Sequence, residues 1–123
     1  MNKHTFWTLS CALALLCGCA VTQQAALREV TRTTYVHKTA TDQQREEFYV
    51  VWSGENISLV KFEYRQVKFP NEVFAKAYVP TKRHATVFEV GGDEFQKGGK
   101  VSAWRVTLWR DKQPIAERKS ALW

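Results

Sequence analysis

The stretch "NISLVKFEYRQVKF", residues 56–69, alternates apolar and polar side chains. Val60, Phe62 and Tyr64 share one parity; Lys61, Glu63 and Arg65 share the other. A period of two places successive side chains on opposite faces of a strand, one for a core and one for water. A helix would need apolar residues three and four apart. β-branched and aromatic residues dominate the stretch, as a half-buried pleated surface prefers. Pro70-Asn71 is read as the end of the run.

The same reading extends in both directions. "EEFYVVWSG", 46–54, turns Phe48, Val50 and Trp52 to one face before a Ser53-Gly54 turn. "VSAWRVTLWR", 101–110, turns Trp104, Val106 and Leu108 inward and Arg105, Thr107 and Trp109 outward. "EVFAKAYV", 72–79, and "ATVFEV", 85–90, are shorter strands closed by Pro80 and Gly91-Gly92. Asp111 to Pro114 turns the chain into "IAERKSALW", 115–123. That gives six strands, or seven with Thr31–His37, without internal repeat or sustained helical periodicity. The expected fold is all-β: an antiparallel β-sandwich of immunoglobulin-like or fibronectin-like shape over residues 34–123. The Cys…Trp…Cys pattern of true immunoglobulin domains is absent.

Composition agrees with one folded domain. The 123 residues are 45% hydrophobic and 24% charged, with five Trp, four Tyr and seven Phe. Aromatic side chains bury about 150–250 Å² each, so a small core forms without disulfides. Cys11, Cys17 and Cys19 all precede the strands. They leave no disulfide for the body, and with only His37 and His84 downstream they make no Cys/His metal site. No cofactor site is read. The formal charge of +6 suits anionic lipid headgroups, acidic polysaccharide or nucleic acid, or serves solubility alone. No nucleic-acid motif accompanies it, and no nucleic-acid partner is expected.

"MNKHTFWTLSCALALLCGC", 1–19, opens with a basic residue, Lys3, and continues into an apolar run from Phe6 to Leu16. The run is shorter than the roughly 18 apolar residues of a spanning helix and fits the apolar region of a secretory signal peptide. It ends in Leu16-Cys17-Gly18-Cys19, which resembles the lipobox of bacterial lipoproteins. The resemblance implies cleavage between Gly18 and Cys19 and a thioether-linked diacylglycerol on Cys19. A thiol is the nucleophile such chemistry uses. Cys17 departs from the usual Ala, Ser or Val at its position but is small, and bulky Leu16 before it argues against lipid there. The implied organisation is a signal peptide over 1–18, a lipidated tether over 19–33 (with a helical turn around Gln23–Arg28) and the sandwich. Removing residues 1–18 takes away Lys3 and leaves a formal +5. Ala20 lacks the aspartate that retains some enterobacterial lipoproteins at the inner membrane, which favours an outer-membrane anchor facing the periplasm.

"VGGDEF", 90–95, resembles the signature of diguanylate cyclases. That family would give Gly91 and Gly92 the GTP phosphates and Asp93 and Glu94 the metal and catalysis. The rest of the family pattern is missing. No helices flank the motif, and the only earlier aspartate is Asp42, in a polar run. An exported domain also meets no GTP pool. The letters are read as turn chemistry between two strands.

Other constellations are thinner. Adjacent Glu46 and Glu47 point to opposite faces of a strand and make no carboxylate pair. Lys82-Arg83-His84 is a basic cluster that either meets an anion or is a solvated loop; Lys97 and Lys100 read the same way. Trp109 and Trp123 either share an exposed face, suited to sugar rings or a partner, or pack internally. The candidate partner surface is Trp109, Trp123, Lys82 and Arg83. The expected function is a non-catalytic interaction or structural module of the cell envelope, held to the membrane by Cys19. A binder of glycan or anionic envelope polymer is the alternative, and a cyclase the remote one.

Overall fold

A computed structural model describes residues 24–36 and 44–123. Seven strands and one short helix follow in order. They are β1 (Ala26–Tyr35), β2 (Arg45–Ser53), β3 (Leu59–Gln66), β4 (Phe69–Tyr78), β5 (Ala85–Gly91), α1 (Gly92–Gly98), β6 (Val101–Arg110) and β7 (Gln113–Lys119). They form two antiparallel sheets, β1-β2-β5 and β4-β3-β6-β7. The protein is an all-β sandwich. Its fourth strand pairs with β3, not with β5 as in constant-type immunoglobulin domains.

Parity decides which side chains meet between the sheets. Phe48, Val50 and Trp52 of β2, Val60, Phe62 and Tyr64 of β3, and Val106 and Leu108 of β6 are all buried, as the alternation requires. An aromatic spine joins the sheets: Phe62 lies 4.7 Å from Phe48 and 5.2 Å from Phe88, ring centre to ring centre. Tyr64 extends it to Phe74, 5.6 Å away. Trp104 shares the inward parity but is only partly buried, 6.2 Å from Phe48 at the margin of the core.

Four sequence expectations need correction. The segment read as tether already contains β1, so the sandwich starts at Ala26 and no helical turn forms over the described part of Gln23–Arg28. β1 overlaps the optional strand read over Thr31–His37 but begins earlier; it is an edge strand with mostly exposed side chains, and its polar composition hides that start. The run 56–69 is not one strand: Val67-Lys68 turns the chain, and Pro70 and Asn71 belong to β4. β4 is also an edge strand, where proline's missing N–H costs no ladder bond. Residues 92–98 form a helix in place of the expected turn. The β6–β7 hairpin turns where expected but more tightly, on Asp111 (φ 49°) and Lys112 (φ 69°), the positive pair a two-residue type I′ turn needs, with Gln113 and Pro114 already in β7.

The cysteines, His37 and Asp42 lie outside the described residues. Among the described residues no helix is long and apolar enough to cross a membrane.

Candidate functional site

The acidic pair of the VGGDEF stretch is built into α1. Asp93 is exposed, while Glu94 is half-buried and meets the Lys76 ammonium at 3.1 Å. Together Lys76 and Glu94 line a cleft of about 540 Å³ on the open side of the sandwich, beside Tyr78, Thr86, Phe88 and Gly91. Burial pushes the Glu94 carboxyl above its ordinary range despite the lysine. The folded state thus holds that proton more tightly than the unfolded chain, so ionising Glu94 works against the fold as pH rises past 4.5. Among the described residues no three His, Cys, Asp or Glu side chains converge as metal ligands would.

What fixes α1 is glycine and glutamine. Gln66 has the parity of Val60, Phe62 and Tyr64, and its buried amide donates to the carbonyls of Glu94 (3.0 Å) and Gly99 (2.9 Å). Gly98 lies against that amide so closely that a Cβ would stand 2.2 Å from Gln66 Oε1. Gly92 holds φ 57° with open space around it. We therefore expect Gly98→Ala to cost roughly 1–3 kcal/mol. Replacing Asp93 and Glu94 together by alanine should cost under about 1 kcal/mol, the range of partly exposed ion pairs. Urea melts of the two variants check this order, and a larger loss in the acidic double variant would refute it.

The tryptophans lie on the outer face of the four-stranded sheet, and basic side chains accompany both. Lys61 Nζ stands 5.9 Å from the Trp109 ring centre, and Trp109 Nε1 donates to Thr107 Oγ1 at 2.9 Å. Trp123 is met by the guanidinium groups of Arg65 at 4.8 Å and Arg105 at 5.1 Å. Both rings are half-buried. Trp109 also walls a shallow apolar pocket of about 260 Å³ with Leu59, Lys61, Ala75 and Ala77. Trp109 pairs with Leu59 at the start of β3, whereas Arg105, beneath Trp123, pairs with Glu63 four residues on. The two rings share a face without forming one platform. Lys82 and Arg83 are exposed in the β4–β5 loop, at the end of the sandwich.

Glu46, which sequence reasoning sets aside as no partner for Glu47 in a carboxylate pair, is 0% exposed. Its Oε2 accepts from Arg32 Nε at 2.5 Å and from Thr34 Oγ1 at 2.9 Å. Its Oε1 accepts from the Val101 backbone N–H at 2.6 Å, while Arg32 Nη2 donates to the Val101 carbonyl at 2.6 Å. One carboxylate and one guanidinium thus take both backbone groups of the first residue of β6 and tie the two sheets together. Every oxygen of the carboxylate is satisfied, as a buried charge requires. The arrangement is a structural staple with no open coordination position. Its signal was in the sequence: Glu46 shares the parity of Phe48, Val50 and Trp52.

Comparison with known proteins finds no matching family model, no matching curated protein and no matching solved structure.

Proposed function

We propose that this chain is a lipid-anchored protein of the bacterial cell envelope, whose sandwich serves as a non-catalytic interaction or structural module. The observation that carries the reading is the spacing of two features. Leu16-Cys17-Gly18-Cys19 closes a short apolar run, and β1 begins at Ala26, seven residues after the cysteine. Two acyl chains on Cys19 suffice for stable anchoring, since each buried CH₂ contributes about 0.8 kcal/mol. The outer membrane, with the domain facing the periplasm, is the proposed location. An interaction role accords with the carboxylates: Glu46 is committed to the staple and Glu94 to Lys76.

The test is processing of two variants. Cys19→Ser is expected to accumulate as an uncleaved, unlipidated precursor, because a hydroxyl is a far weaker nucleophile than a thiolate. Cys17→Ser is expected to be cleaved and lipidated like the parent. Mass spectrometry of the membrane fraction reads both. A block in Cys17→Ser without one in Cys19→Ser would place the lipid on Cys17 and overturn the assignment to Cys19.

A second reading, a binder of glycan or anionic envelope polymer, draws on the apolar pocket walled by Trp109 and flanked by Lys61. Binding of an acidic polysaccharide that weakens steeply with salt and is lost in Trp109→Ala would favour it.

A further inference from the structure

We propose that the end of the sandwich at which the chain enters lies against an anionic bilayer surface, held there by Lys82, Arg83 and Lys112. The inference rests on the lipid at Cys19 and adds an orientation to it. Strand register defines this end. Ala26 pairs with Ser53, Val51 with Ala85, Val60 with Tyr78, and Leu59 with Trp109. The first residue of β1 therefore gathers with the loops 54–58, 79–84 and 111–112. Ala25 itself packs against Gly54.

Tether length decides which end can meet the membrane. Seven residues from Cys19 to Ala26 span at most about 25 Å when fully extended. A nine-residue strand such as β2 is itself about 30 Å long. The far end, with Lys68, Lys97 and Lys100, reaches headgroups only if the tether runs back along the whole domain, for which it is too short.

Charge and exposure supply the attraction. Lys82, Arg83 and Lys112 are exposed, and none forms an ion pair among the described residues; the same loops carry exposed Glu55 and Asp111, so the basic residues outnumber the acidic ones by one in this set. Arg32, Arg45, Lys76, Arg105 and Lys119 are paired with carboxylates; Lys68, Lys97 and Lys100 at the far end have no ion pair among the described residues either, so tether length, not charge, selects the end. Val79, 69% exposed, opens the same loop, placing an apolar side chain beside two long basic ones that can keep their charges at headgroup level. Each basic residue at an anionic surface is worth about fivefold in partitioning, an effect that falls off within a Debye length.

The experiment uses the full chain, extracted with its lipid and reconstituted in vesicles containing about 30 mol% phosphatidylglycerol, enough to give a negative surface potential. One fluorophore is placed at Thr81→Cys and, in a second sample, at Gln96→Cys on α1; a quencher is attached to lipid headgroups. Mass spectrometry first establishes the lipid on Cys19. Quenching is expected to be several-fold stronger at residue 81 than at 96. The difference should shrink in about 1 M salt, in phosphatidylcholine vesicles, and in the triple variant Lys82→Glu, Arg83→Glu, Lys112→Glu, leaving only the bias of the short tether. Equal quenching of the two labels on lipidated protein would overturn the orientation and leave the anchor standing. A quenching difference undiminished by salt and by the triple variant would overturn the role of the three basic residues. A chain without lipid on Cys19 would overturn both readings.

Discussion

Phe62→Ala is expected to lower the unfolding free energy by roughly 3–5 kcal/mol, the range for deleting a fully buried large aromatic. Its ring is 0% exposed and touches Phe48 and Phe88 of one sheet and Tyr64 of its own, at centroid distances of 4.7, 5.2 and 5.1 Å. Truncation leaves a cavity between two sheets that cannot collapse without changing their spacing. Against a typical domain stability of about 5–15 kcal/mol the loss is large. Tyr49→Ala, on the outer face of β2 at 44% exposure, should cost little by comparison. Trp104→Ala should fall between them, because that ring sits at the core's margin. Urea melts of the three variants rank them. Equal losses for Phe62→Ala and Tyr49→Ala would mean that the strand register is inverted, since a slip of one residue exchanges the faces.

Glu46→Ala is expected to be nearly as damaging, at about 3 kcal/mol. Breaking a buried ion pair by removing one partner usually costs about 3–5 kcal/mol, because the other charge is stranded. The lower figure applies here because the Arg32 side chain is 36% exposed and can turn to water. The Val101 N–H cannot, and loses its acceptor. Arg32→Met combined with Glu46→Leu should recover part of the loss, since neither charge is then left unpaired. A double-mutant cycle in urea gives the coupling energy. A cost below about 0.5 kcal/mol for Glu46→Ala, the level of ordinary surface substitutions, would show that the staple does not join the sheets.

These two residues mark how far the sequence could be read. Phe62 was legible from alternation alone, because β3 is a central strand covered on its inner face. Glu46 carried the right parity, but a carboxylate on an inward position is informative only with its partners, and Arg32 and Val101 lie 14 and 55 residues away. The second half of β1 was legible as the optional strand over Thr31–His37, but its start was hidden by its place at the sheet edge, where the exposed residues read as polar chain. The helix α1 was hidden by length, since seven residues make barely two turns and give no period. Its glycines pointed to a turn, yet Gly98 serves a different need, room for the Gln66 amide. Of the candidate surface, the outward side of Trp109 followed from parity. The guanidinium groups on Trp123 did not, because the chain's last residues follow β7 and obey no strand period.

The chemistry at Cys19 decides whether the chain is anchored by lipid. Protein purified from membranes is digested, and its N-terminal peptide is weighed by mass spectrometry. A peptide beginning at Cys19 and carrying a thioether-linked diacylglycerol is the expected result. A peptide retaining residues 1–18, or one beginning elsewhere with an unmodified Cys19 thiol, would contradict it.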